Sequence, residues 1–223
     1  MSLQNELNAL SRLVCDETSP RLLQVLDHFT TALREQGIRA RSLQMGDTVE
    51  NVTLNLERQG QVSLYALLNE GPVVLNFYRG GWCPYCNLEL KALHHARPEI
   101  ERQGAQLIAI TPECSKNIAQ TVRKNGLDYP VAHDVNSEVA HRFGIAASLS
   151  EPVKALYRSL GLNLAARNAD VLVRLPLPAT YVINTNYQVH YAFVDEDYTQ
   201  RAEPTEILRA LQSIVPELVH SYG

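Results

Sequence analysis

The sequence predicts an α/β fold: a central mixed sheet flanked by helices and preceded by a helical N-terminal extension. Three observations carry this prediction. Short β-branched runs alternate with helical patterns from residue 46 to residue 143. A hairpin followed by an amphipathic helix closes the chain, and residues 1–44 carry helical periodicity alone.

Within the extension, Leu3, Leu7, Leu10, Leu13 and Val14 recur at helical spacing. A second helix opens at Ser19-Pro20, a good cap and first position, and buries Leu22, Leu26, Phe29 and Leu33 before a left-handed stop at Gly37. Residues 1–44 are expected to pack on, or cover an edge or dimer contact of, a domain spanning 45–223. Val52-Thr53-Leu54-Asn55-Leu56 and Gln61-Val62-Ser63-Leu64 alternate about Gln59-Gly60, a hairpin. Pro72 to Tyr78 is a buried-strand run, and a helix follows from residue 84 to about Gln103, ended by Gly104. Gln106 to Ile110 is a second buried strand, Ser115–Asn125 a helix, Tyr129 to Ala132 a short strand, and Ser137 to Phe143 a short helix stopped by Gly144. Residues 148–175 are ambiguous apart from a helix over Glu151 to Leu160. Ala179 to Ile183 and Gln188 to Phe193 form a hairpin around 184–187. The last helix starts near Pro204, with Ile207, Leu208, Leu211, Ile214 and Val215 inward.

A chain of 223 residues suits one domain with an extension, or two small domains, and can bury a sizeable core. A net charge of −4 without a long basic run gives no electrostatic case for nucleic acid or an anionic membrane. No apolar run approaches the ~20 residues of a membrane-spanning helix. The N-terminus lacks the basic flank and apolar core of a signal peptide, so a cytoplasmic location is expected. Four cysteines with one close pair do not resemble a secreted disulfide framework.

That pair, Cys83-Pro84-Tyr85-Cys86, follows a strand and opens a helix, with Pro84 at the first helical position. Residues three apart on a helix lie roughly 5–6 Å apart, within reach of a disulfide. The helix N-terminus carries roughly half a positive charge, which favours a thiolate. The residues therefore read as a redox dithiol. The alternatives are two inert buried thiols or half of a zinc site. Zinc normally needs four ligands, and no second Cys-x-x-Cys exists. His94-His95, the nearby histidine pair, should point away from the helix start. No cofactor or metal is called for.

Trp82-Cys83-Pro84-Tyr85-Cys86 resembles the thioredoxin active site, and Cys-Pro-Tyr-Cys is typical of glutaredoxins. The wider run Phe77-Tyr78-Arg79-Gly80-Gly81-Trp82-Cys83-Pro84-Tyr85-Cys86-Asn87-Leu88-Glu89 resembles the peroxiredoxin signature Phe-Tyr-Pro-x-x-x-Thr-x-x-Cys-x-x-Glu. Gly46 to Leu64 is similar to the opening hairpin of that family, and Tyr129 to Ile145 to its middle segment. Over about residues 45–215 the chain is identified as a member of the alkyl hydroperoxide reductase/thiol-specific antioxidant family, with a thioredoxin-like fold and a Cys-x-x-Cys variant site. Three departures stand out. The family threonine falls on Cys83, its proline on Arg79, and its late arginine near Pro178, where thioredoxins carry a cis proline facing the cysteines.

The resemblance implies a thiol-dependent antioxidant enzyme with catalytic Cys83 and Cys86. In a peroxide cycle Cys86 attacks a small hydroperoxide and Cys83 resolves the sulfenic acid. Thioredoxin, glutaredoxin or glutathione then reopens the disulfide. In an exchange cycle the more exposed Cys83 attacks a substrate disulfide. Trp82 and Tyr85 would then offer an apolar surface, with Pro178 as the opposite wall. A non-catalytic redox sensor is the third reading. Arg79 is either a peroxide-orienting cation or a loop charge. Glu89 is either solvated or a proton carrier. Cys114 is either an auxiliary resolving thiol or, like Cys15, a bystander. His133 and Asp134 are expected in ordinary loop roles. The family also implies a homodimer.

Overall fold

A computed structural model of the chain describes residues 2–168, 170 and 173–220, with side chains of the last helix described to Ile214. In the extension, α1 (Leu3–Glu17) is capped by Ser2, whose hydroxyl accepts from the Asn5 N–H. Helix α2 (Pro20–Glu35) begins with the expected proline. Gly37 adopts φ +62 before the single turn α3 (Ile38–Arg41). Strands β1 (Thr53–Leu56) and β2 (Gly60–Ser63) form the expected hairpin. Leu64, read as strand, instead opens the short helix α4 (Leu64–Leu68), because Ser63 caps it by accepting from the Ala66 N–H.

Strand β3 (Val73–Phe77) lies inside the sheet, parallel to β4 (Gln106–Thr111) and antiparallel to β8 (Ala179–Ile183). Beyond β4 runs β5 (Val131–His133), parallel to it and antiparallel to β1. Strand β9 (Val189–Val194) completes the order β2-β1-β5-β4-β3-β8-β9. The long helix α5 (Pro84–Arg102) follows β3, and α6 (Ser115–Asn125) follows β4. A tight turn at Val135–Ser137 leads into α7 (Glu138–Arg142). The ambiguous segment holds α8 (Glu151–Ser159) and α9 (Leu164–Asn168). It is flanked by a two-stranded ribbon of β6 (Ala146–Ser148) and β7 (Arg174–Pro176), which the sequence reading did not place. Helix α10 (Pro204–His220) buries Ile207, Leu211 and Ile214 and partly buries Leu208; Val215 lies outside the described side chains.

Alternation along β3 divides the core in two. Val73, Leu75 and Phe77 face one layer with Ile108, Ile110 and Tyr181. Val74 and Tyr78 face the other, where α1, α5 and α10 contribute Leu3, Leu7, Leu90, Leu93 and Ile207. A third cluster joins Val153, Tyr157 and Leu164 of the 148–175 segment to Val25 and Phe29 of α2 and to Trp82. The extension thus packs against both the cysteine helix and the segment beside it.

Candidate active site

The end of β3 and the start of α5 create the site. Tyr78 closes the strand ladder by donating its N–H to the Ile110 carbonyl, and the Cys83 N–H bonds back to the Gly80 carbonyl. Cys83 is the N-cap residue, with Pro84 at the first helical position. Asn87 ties the turn down by donating from Nδ2 to the carbonyls of Gly81 and Cys83, both at 2.9 Å. Glu113, fully buried just past β4, accepts from the Gly81 N–H at 2.7 Å and pairs with Arg167 of α9. Gly80 and Gly81 let the chain run this close. A Cβ on Gly80 would meet Trp82 and Glu113, and one on Gly81 would meet Thr121.

Cys83 and Cys86 are both free thiols, 1% and 0% exposed. Cys86, one helical turn on, favours a charge on the Cys83 sulfur. Burial pushes the Cys83 thiol up, but Cys86 and the Arg79 and Arg201 charges outweigh it and hold Cys83 well below the usual thiol range. Burial and the charge on Cys83 raise Cys86 instead. The two thiols are thus pushed in opposite directions, Cys83 down and Cys86 up, and titrate as a pair.

Two buried guanidinium groups flank the sulfurs. Arg201, between β9 and α10, donates from Nη2 to the Cys86 sulfur at 3.1 Å and sits with Nε 2.7 Å from Glu89. Its Nη1 is fixed by the carbonyls of Tyr198 and Gln200. Glu89 is buried rather than solvated. It accepts from Thr180, which accepts in turn from Asn76, and burial raises its carboxyl to about 8 despite Arg201. Arg79 is also buried, with its guanidinium 5.0 Å from the Trp82 ring centroid and 4.9 Å from that of Tyr198.

Several expectations change. Cys83 is hardly more exposed than Cys86: both are buried, and Cys83 lies in the same apolar cluster as Leu3, Leu7 and Tyr78. Tyr85 offers no docking surface, because α1 covers it; its hydroxyl accepts from Ser11 and its ring meets Tyr198 edge-on. Trp82 is half-buried against Tyr157. The Leu177–Pro178 peptide is trans, not cis. The Leu177 N–H bonds to Ile145 and the Pro178 carbonyl to Asp195, so the chain passes directly from β7 to β8. Pro178 lines a slot of about 20 Å³ with Arg79, Phe29 and Tyr198, room for about one water. Cys114 caps α6 and Cys15 is exposed on α1. Asp134 caps α7 through the Val139 and Ala140 N–H groups. His94 pairs with Asp128. No cluster of metal-ligating side chains occurs among the described residues.

The sequence reading missed Arg201, Glu113, Tyr157 and Tyr198. No motif marks them. They come from three separate segments, the loop after β4, helix α8 and the loop between β9 and α10, and meet only through the sheet topology.

Residues 45–192 match the model of the AhpC/TSA family. The 1-Cys peroxiredoxin PER1 of Triticum aestivum is 22% identical over 185 residues, covering 80% of this chain and 76% of that protein. The structure of peroxidoxin BcpB from Mycobacterium tuberculosis is similar with a TM-score of 0.60 at 23% identity, covering 77% of this chain and 98% of its own. The bacterioferritin comigratory protein of Xanthomonas campestris, studied for its alkyl peroxide reduction activity, is similar with a TM-score of 0.56 at 17% identity over 75% of this chain and 98% of its own. At such identities the structural likenesses establish the fold.

Proposed function

The chain belongs to the AhpC/TSA family, and from that premise we propose that it reduces hydroperoxides through a dithiol–disulfide cycle of Cys83 and Cys86. The observation that carries this reading is the buried Cys83/Cys86 pair at the start of α5, with Arg201 donating to the Cys86 sulfur at 3.1 Å and the two thiols pushed in opposite directions. Cys86 is the attacking sulfur. Its proton passes to the neighbouring Cys83 sulfur, leaving a Cys86 thiolate against Arg201. That thiolate attacks the peroxide O–O bond and becomes a sulfenic acid, and the alkoxide or hydroxide leaves as alcohol or water on taking up a proton. Cys83 then displaces the sulfenic oxygen as water and closes the disulfide. Two electrons have moved from the sulfurs to the peroxide. An external thiol of the thioredoxin, glutaredoxin or glutathione type returns them.

Arg79, Trp82, Pro84, Tyr85, Glu89 and Pro178 support the pair in this reading. Arg79 and Arg201 supply charge, and Pro84 starts the helix. Glu89 holds Arg201, while Trp82, Tyr85 and Pro178 wall the site. Residues 1–44 act as an accessory layer on the 45–223 domain, consistent with a family match that begins at residue 45. A homodimer in a reducing cytoplasm belongs to the same proposal; four free thiols fit such a compartment. No helix among the described residues is long and apolar enough to cross a membrane.

The test is peroxide treatment of the reduced protein. Wild type forms the 83–86 disulfide, Cys83→Ser accumulates a trappable sulfenic acid on Cys86, and Cys86→Ser is inert. A wild-type rate no faster than that of free cysteine overturns the peroxidase reading. A sulfenic acid found only on Cys83 overturns the assignment of Cys86.

A further inference from the structure

We infer that Tyr157 is a positioning residue for the dithiol, holding the Arg79 guanidinium beside Cys83 through its hydroxyl. Arg79 is buried, yet it has no carboxylate partner among the described ion pairs. Three aromatic rings surround it, those of Trp82, Tyr198 and Tyr157, with the Tyr157 centroid at 5.9 Å. Ring faces attract a cation but orient it weakly. The one directional bond described for this side chain runs from Nη2 to the Tyr157 hydroxyl. The planar fork of an arginine is aimed by such bonds, so the aim of Arg79 depends on Tyr157.

Tyr157 is itself held firmly. It sits on α8 in a cluster with Val153 and Leu164, its carbonyl accepts from the Leu162 N–H, and its ring meets Trp82 at 5.1 Å and 66°. Helix α8 leans on α2 of the extension through Val25 and Phe29. A segment that carries none of the signature residues thereby sets the position of a charge next to the sulfurs. This inference rests on the reading of Cys83 and Cys86 as the reactive pair. The other ionisable groups facing that pair are Arg201, Glu89, Tyr78 and Tyr85, while Tyr198 faces Arg79 and Tyr85.

The experiment titrates thiolate absorbance against pH in reduced protein carrying Cys15→Ser and Cys114→Ser, so that the signal belongs to the pair. Tyr157→Phe keeps the ring and removes only the hydroxyl. Its expected effect is an upward shift of the first thiol midpoint by about 0.5–1 pH unit, the scale of one ordinary hydrogen bond. In an Arg79→Gln background, or Arg79→Lys should the glutamine variant not fold, Tyr157→Phe shifts the midpoint no further. An unchanged midpoint in Tyr157→Phe overturns the inference, including when the melting temperature falls. So does an equal shift with and without Arg79. The titration uses no peroxide. Failure of the peroxidase reading would appear separately, as a normal titration with no peroxide consumption.

Discussion

Cys83 and Glu89 are buried acids on the same helix, and their surroundings push them in opposite directions. Cys83 is drawn below the usual thiol range by Cys86 and the two guanidinium groups, whereas burial raises Glu89 to about 8. The stability of the reduced protein should register both. In the unfolded chain a thiol titrates near about 8.5 and a glutamate near about 4.3. Between the depressed folded value of Cys83 and about 8.5, the unfolded state binds the extra proton, so the Cys83 contribution grows as pH rises and is lost on acidification. For Glu89 the folded state binds the extra proton between about 4.3 and about 8, so its contribution falls across that window. Denaturant unfolding over this range should therefore find the advantage of wild type over Cys83→Ser increasing with pH. The same measurement should find wild type losing ground to Glu89→Gln up to about pH 8 and then levelling, each at no more than about 1.4 kcal/mol per pH unit. An absent or reversed slope in either comparison removes the corresponding assignment. Cys83, Cys86, Arg79 and Glu89 were legible in the sequence because they share one local run. Arg201 was not, since 115 positions separate it from the sulfur it touches and no spacing rule spans such a loop.

The turn into α5 shows how an element presents its first residues. Pro84, the Asn87 bonds and Glu113 all act on the same stretch of backbone, and Gly81 lies against the side chain of Thr121 on α6. Gly81→Ala should destabilise the protein by about 1–3 kcal/mol, the usual result of forcing a methyl group into a filled space. Part of that loss should return with Thr121→Ala, and thermal unfolding of the single and double variants measures both. An undiminished melting temperature in Gly81→Ala would mean that α5 and α6 are free to separate. Most elements were readable: α6 agrees with the expected Ser115–Asn125, and the β8–β9 hairpin with the alternation around 184–187. Helix α4 and the β6–β7 ribbon were not. Five residues hold barely more than one helical turn, and strands of three residues carry too little alternation to separate from a loop.

The whole molecule is a sheet with a core on each face, and the extension reaches both the cysteine helix and the α8 segment. Leu3 and Leu7 lie in the cluster that contains Cys86, Ser11 bonds Tyr85, and the Gln4 N–H donates to Glu203 at the foot of α10. Removing residues 1–18 should cost several kcal/mol, at roughly 1.5–3 kcal/mol for each buried leucine. It should also bare the first turn of α5 and speed reduction of the 83–86 disulfide by a protein thiol more than by glutathione. Equal acceleration by both reductants would argue against α1 as the obstacle. The extension's helices were evident from their periodicity, but what they cover was not, because an amphipathic face does not name its counterpart.

With both sulfurs shut away from solvent, the proposed peroxide step should need the wall to part before an oxidant can meet them. The clock of the reaction then belongs to the protein's own breathing. Once oxidant is abundant enough to fill every such opening, supplying more of it changes nothing.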